Sequence, residues 1–180
     1  MTAAEILSVA AFLQGKHALA FPTFGSERMG APVTSFCRID DKPIRSREPI
    51  VNPDALIIQD ATLLRRVPLF DGLQSSGYVL INSTKSFEDL ALGTLAADIS
   101  PEHCCTVPAT TMALEQLGRS VPNAPLLGAF LALTGLLTME CLETAIRSKF
   151  AHDVAEKNMV AARSAYELVI HREVAHAEAG

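Results

Sequence analysis

The chain lacks the groupings that most often announce an active site. Its four cysteines, Cys37, Cys104, Cys105 and Cys141, show no Cys-x-x-Cys spacing, and the only close pair is vicinal. That arrangement suits neither a zinc ribbon nor an iron–sulfur cluster, so no metal site is expected within this chain. The five histidines, His17, His103, His152, His171 and His176, are scattered, with no His-x-x-x-His on one helical face and no carboxylate pair at a useful spacing. Gly-x-Ser-x-Gly, the Walker loop and Gly-x-Gly-x-x-Gly are all missing, which leaves hydrolase, NTPase and dinucleotide-enzyme chemistry without residues to carry it. By itself the chain holds no complete catalytic set.

Other absences narrow the setting. A net charge of -5 and a pI near 5.5 exclude the broad basic face that a nucleic-acid binder needs to displace phosphate counterions. No signal peptide and no dense cysteine pattern are present, so the expected compartment is the reducing cytoplasm, with free thiols. The longest apolar stretch runs from Ala124 to Met139 and is interrupted by Gly128 and Gly135. It falls short of the roughly 20 residues that a membrane span requires, and it reads as a buried core helix. There is no internal repeat and no low-complexity segment.

What is present is one domain's worth of chain, 180 residues at 49% hydrophobic content. The segment Phe24-Gly25-Ser26-Glu27-Arg28-Met29-Gly30-Ala31-Pro32-Val33 places an acid, a base and two glycines in a turn between two apolar runs. Arg38, Lys42, Arg45 and Arg47 follow, so five of the fifteen Lys and Arg residues fall within residues 28–47 of an otherwise acidic protein. Glycine permits close backbone approach, and guanidinium groups grip carboxylate or phosphate through paired donors. The local excess of charge points to one small anion or to another chain. A solvated hairpin balanced by Asp40 and Asp41 is the plain alternative.

Periodicity supplies the frame. Thr2-Ala3-Ala4-Glu5 has the pattern of a capping box, and Ile6, Val9, Ala10 and Leu13 share a helical face that Gly15 terminates. Residues 17–21 and 32–39 read as strands bracketing the glycine turn. The runs 54–59 and 77–82 are continuous and apolar, the signature of central parallel strands covered on both faces. Short turns or helices at 61–64 and 86–90 follow them, then a strand at 104–107 and a helix at 112–117 with Gly118 as its stop. Helices are expected at 123–137, 139–150 and 154 to about 171, the last opened by Asp153 and Glu156, with a frayed tail at 176–180. The alternation predicts an α/β fold: a mostly parallel sheet flanked by helices on both faces, with a helical C-terminal third. Ligands in such sheets sit beyond the carboxyl ends of the strands, which brings in Asp60, Asn82, Ser83 and Thr84, although Asn-Ser-Thr is also ordinary turn chemistry.

Read as strings, Thr2-Ala-Ala-Glu-Ile-Leu, Ala20-Phe-Pro-Thr-Phe-Gly-Ser-Glu-Arg-Met-Gly-Ala-Pro-Val33, Arg38-Ile-Asp-Asp-Lys-Pro-Ile44 and Val154-Ala-Glu-Lys-Asn158 resemble the gamma subunit, or gamma domain, of the pyruvate/2-oxoacid:ferredoxin oxidoreductases. The resemblance covers essentially the whole chain and implies a single gamma-type domain over 1–180. It implies membership of a multisubunit, oxygen-sensitive enzyme that decarboxylates a 2-oxo acid on thiamine diphosphate and magnesium, passes electrons through iron–sulfur clusters to ferredoxin, and releases an acyl-CoA. Alpha, beta and ferredoxin-like (delta) subunits would hold those cofactors, and this chain would cover the active-site region and help bind CoA. The residues assigned to CoA or to subunit contacts are Gly25, Ser26, Glu27, Arg28, Gly30, Arg38, Lys42, Arg45, Arg47 and Asn82. Two alternatives stay open within the resemblance: an aromatic, phenylglyoxylate-type dehydrogenase delivering electrons to NAD through an added FAD-containing flavoprotein, and a non-catalytic assembly scaffold. Outside it stands a free α/β protein binding a phosphorylated metabolite. The family usually begins with a strand and a Gly-Arg-Gly-Gly-Gln-Gly turn, neither of which is expected here. Ser26 also stands where proline is common, and Met29 where a second arginine often sits.

Overall fold

The computed structural model describes residues 2–23, 33–92 and 98–179. Helix α1 (Thr2–Leu13) leads through a turn at Gly15 into an antiparallel hairpin of β1 (His17–Thr23) and β2 (Thr34–Asp40). A second sheet holds β3 (Ala55–Ile58), β4 (Tyr78–Asn82) and β5 (Cys104–Val107), all parallel and in spatial order β3-β4-β5. Four helices complete the described chain: α2 (Ala109–Leu117), α3 (Asn123–Thr134), α4 (Met139–Lys149) and α5 (His152–Ala179). The α/β class and the helical C-terminal region are as the sequence implies, with the parallel and antiparallel strands forming separate sheets.

The fold is organised around α3. Its residues from Ala124 to Leu133 are all buried, as expected of a helix that is apolar all round. Each fully buried leucine there, Leu126 and Leu127 among them, contributes roughly 1.5–3 kcal/mol. The helix stops at Gly135, whose φ of 60° suits a residue without Cβ, and whose N–H donates to Leu131 O. The last helical residue, Thr134, is three residues earlier than the expected end at 137. No helix among the described residues is long and apolar enough to cross a membrane. The α3 and α5 backbones approach closely where Gly128 meets Ala162, and a Cβ built on Gly128 would lie 2.0 Å from Ala162 O.

Strand β4 shows why its sequence is apolar throughout. Leu80 faces the large core shared with α1, α3, α4 and α5, whereas Val79 and Ile81 face a smaller core with Ile58, Leu64, Leu92 and Ile99. Alternation along a strand makes that division. The helices cover the first face. The second is covered by a 3-10 helix (Ala61–Arg65) and by the connecting segments that carry Phe70, Leu73 and Phe87, in place of a second layer of long helices. Strand β3, expected at the centre, is an edge strand, and only Ile58 of its four residues is buried. Its continuous apolar run therefore reports neither burial on both faces nor which neighbour supplies the hydrogen bonds.

Three further expectations are corrected. Thr2 is already helical, and Glu5, expected to close a capping box, accepts from Lys149 Nζ at 2.5 Å. Helix α5 begins at His152 with the Ala155 N–H donating to Ala151 O, so Asp153 lies within the first turn instead of capping it, and Glu156 sits 3.8 Å from Arg147. The helix continues to Ala179, well past the expected end. Within that extension Arg172 Nη1 donates to Thr106 O at 2.7 Å, fastening α5 to the outer edge of β5.

Two outcomes follow. Gly128→Ala forces α3 away from α5 and costs about 3 kcal/mol or more, measured as a lowered urea midpoint. Glu143 accepts from Arg163 Nε, which holds its carboxyl below the usual 4.5. A depressed carboxylate contributes stability that is present above 4.5 and is lost as the pH falls through its folded value. The gap in melting temperature between the native chain and Glu143→Gln is therefore widest at neutral pH and closes below pH 4.5.

Candidate functional site

The hairpin presents two faces. Ala18, Cys37 and Ile39 pack on the core, and burial pushes the Cys37 thiol up to about 12, far from thiolate reactivity at neutral pH. The opposite face carries Phe21 against Phe36, with ring centroids 5.4 Å apart, and Arg38 directly across from Leu19. Lys16 grips Asp41 at 2.8 Å, fixing the end of β2 beside the C-terminus of α1. The chain then arcs back, and Arg38 Nη2 donates to Glu48 O at 3.0 Å. That bond pins a loop on which Lys42, Arg45 and Arg47 are all exposed. Among the described residues their side chains have no ion-pair or hydrogen-bond partner, and the buried Nε of Arg38 has none either.

The structure therefore gathers Arg38, Lys42, Arg45 and Arg47 into one region, with Arg38 as its anchor. Gly25, Ser26, Glu27, Arg28 and Gly30 lie outside the described residues. The described strand ends at Thr23 and Thr34 lie one strand length, roughly 20 Å at 3.4 Å per residue, from the end of β2 that leads into the basic loop.

Asn82 stands apart, at the carboxyl end of β4. Its Nδ2 donates to Gln59 O at 2.8 Å and to Thr110 Oγ1 at 2.7 Å, and its Oδ1 accepts from the Thr110 N–H at 3.1 Å. It thereby clasps the end of β3 to the first turn of α2, a helix whose own cap position is Pro108 and makes no side-chain bond. Nearby, hydrogen bonds from the Thr62 side chain and then from its N–H, the latter to Asp60 Oδ1 at 2.9 Å, hold the Asp60 carboxyl below the usual range, and the N–H bond starts the 3-10 helix. The same edge holds two cations that sequence reasoning passed over, Arg65 and Lys85. Their signal was available: Lys85 is the first basic residue after the β4 run, and Arg65 the first after the β3 run. No group of three or more His, Cys, Asp or Glu among the described residues could hold a metal ion.

A short parallel sheet with an appended antiparallel hairpin, a buried central helix and an exposed cationic loop defines a mixed α/β protein. Comparison with known proteins makes the class specific. Residues 1–168 match the family described as pyruvate ferredoxin/flavodoxin oxidoreductase. The "Pyruvate/ketoisovalerate oxidoreductases common subunit gamma" of Pyrococcus abyssi is 47% identical over 167 residues, spanning 93% of this chain and 89% of that one. The "Pyruvate synthase subunit PorC" of Methanothermobacter marburgensis is 44% identical over 171 residues, spanning 95% and 91%. The crystal structure of pyruvate oxidoreductase subunit PORC from Thermotoga maritima superposes with a TM-score of 0.78 at 36% identity, covering 92% of this chain and 87% of that one. The chain belongs to the pyruvate ferredoxin/flavodoxin oxidoreductase family as a gamma subunit of the oxidoreductase complex.

Asn82→Ala removes all three bonds of the clasp and leaves the Thr110 N–H and Gln59 carbonyl to find other partners. The expected cost is about 1–3 kcal/mol, read by chemical denaturation.

Proposed function

We propose that this subunit serves an enzyme that oxidatively decarboxylates a 2-oxo acid to an acyl-CoA, and that its basic loop meets the phosphates of CoA or an acidic surface of a neighbouring subunit beside the active site. Thiamine diphosphate, magnesium and the iron–sulfur clusters belong, on this reading, to alpha, beta and ferredoxin-like subunits, with ferredoxin as acceptor and the cytoplasm as the compartment. The relatives named for pyruvate make it the first substrate to test, and the one named for ketoisovalerate as well makes a branched 2-oxo acid the second.

The observation that carries the proposal is the loop pinned by Arg38. Three exposed cations are held on a short segment with no partner for their side chains among the described residues, in a protein of net charge -5. An exposed guanidinium gains little from solvent-separated neighbours, but a phosphate or carboxylate from outside gives it a charge-assisted, bidentate bond. The pinned backbone lowers the entropy lost on binding. The CoA phosphates fit this chemistry because the loop offers donors whose side chains have no carboxylate partner among the described residues, Asp41 being held by Lys16.

A scaffold role is favoured by a different surface. Val9 and Leu13, expected on one face with the buried Ile6 and Ala10, instead join Phe12 on an exposed face of α1 at 40%, 45% and 72% exposure respectively, with Leu136 brought alongside by the bonds of Gln14 to Leu136 O and the Thr138 N–H. An apolar face of that kind on a subunit suits burial against another chain.

The test replaces Arg45 and Arg47 together with Ala, and Arg28 alone with Ala, in the assembled complex. Contact with CoA predicts a rise of about tenfold or more in KM for CoA, the equivalent of about 1.4 kcal/mol, with the subunit retained on gel filtration. Bridging to a neighbour predicts loss of the subunit with CoA kinetics of the remaining complex unchanged. Normal CoA dependence in a complex that still assembles defeats both.

A further inference from the structure

The carboxyl edge of the parallel sheet holds a second cationic feature, at a different place from the loop of Arg38 to Arg47. A cleft of about 150 Å³ opens between the 3-10 helix that follows β3 and the segment that follows β4. Leu64 and Leu92, both buried, form its apolar floor, while Arg65 and Lys85 stand on its two walls. Neither cation has a side-chain hydrogen bond or ion pair among the described residues. The one acidic residue in the lining, Asp89, accepts from Ser86 Oγ at 2.8 Å, and its own N–H donates back to Ser86 Oγ at 3.1 Å. Its carboxylate is thus engaged on its own turn.

The walls are built as well as charged. The Lys85 N–H donates to Ser83 Oγ at 2.9 Å, which sets the direction of the chain as it leaves β4. Ala91 on the rim has a φ of 53°, the only positive φ at a non-glycine among the described residues, and its N–H donates to Glu88 O. A residue with a β-carbon persists in that conformation only when its surroundings impose it. The position is the crevice outside the carboxyl ends of two adjacent parallel strands, where open α/β sheets receive their ligands.

The geometry points to a phosphate-binding pocket in which Arg65 and Lys85 grip one phosphate group from opposite walls. A cavity of this volume accepts a benzene-sized guest elsewhere, so a single phosphate fits. The guanidinium supplies a fork of donors and the ammonium a mobile third, a pairing that favours a tetrahedral anion over an apolar guest. The same phosphate could be free in solution or carried on a larger molecule such as CoA, and the recognition chemistry is identical for both. The pocket does not depend on the assignment of the basic loop, and either can fail while the other stands.

The probe is inorganic phosphate, titrated into the full chain at pH 7 while the backbone amides of Lys85, Leu90 and Ala91 are followed by NMR. Those amides are expected to shift together and to saturate. Arg65→Ala and Lys85→Ala are each expected to weaken binding at least fivefold and, being changes of exposed side chains, to leave the remaining spectrum unchanged. Raising sodium chloride from 50 to 200 mM weakens it further. CoA displacing the phosphate would place the group on the coenzyme, and CoA leaving the shifts intact would assign the pocket to free phosphate or another phosphorylated compound; both support it. Unmoved amides at Lys85 and Ala91, equal affinity in both variants, or a response abolished by Arg45→Ala with Arg47→Ala instead overturns it.

Discussion

The close approach of α3 to α5, made possible by the missing side chain at Gly128, is the constraint on which the other packing depends. Because α3 presents no polar face, it is stable only if every side is covered at once. The parallel sheet covers one side, and α1, α2, α4 and α5 cover the others. Gly128 on α3 and Ala162 on α5 let the two helices lie against each other, and both helices bury further alanines, Ala124 and Ala132 on α3 and Ala155 and Ala165 on α5. Once α5 is docked, its far end reaches β5, and Arg172 satisfies a carbonyl at the sheet's outer edge. A contact in the middle of the molecule thus fixes the sheet from which the functional edges project.

That frame leaves unpartnered cations at two exposed places among the described residues. Among the described residues the interior is nearly without charge: Thr106 and Asn158 are the buried polar ones, and Asn158 turns its amide to Val154 O within its own helix. Charge is therefore kept to the surface, paired between helices at Glu5–Lys149 and Glu143–Arg163 and presented on the loops that rigid elements aim. Arg38 aims the loop after β2 and the Ser83 turn aims Lys85, each through one hydrogen bond to or from backbone. That division between a dry body and charged, well-directed edges suits the proposed contact of the basic loop with CoA or a neighbouring chain.

Much of the architecture was legible in the chain because its causes are local. The glycine stops at Gly15 and Gly118, the length limit on the Ala124 run, and the apolar strands at 55–58 and 78–82 depend on a few consecutive residues. The errors have non-local causes. Nothing near Ala55 reveals that β3 lies at an edge, because the partner of a strand is set by topology. The capping pattern at Thr2 to Glu5 gives way to a lysine 144 residues away. The expected end of α5 overlooked an arginine whose carbonyl partner is 66 residues earlier. At the sites, the basic run was visible, but its division between Arg38 as an anchor and Lys42, Arg45 and Arg47 as presented charges required the fold. Asn82 was singled out for its position at a strand end, and the structure shows its amide engaged at Gln59 and Thr110.

The proposal that the basic loop meets a partner or CoA is tested most directly by hydrogen–deuterium exchange on the isolated chain, on the assembled complex, and on the complex with CoA. Contact at the loop slows exchange across residues 41–48 on assembly or on adding CoA, beyond any change in the already buried α3. Exchange across those residues that stays as fast in the CoA-loaded complex as in the free chain contradicts it.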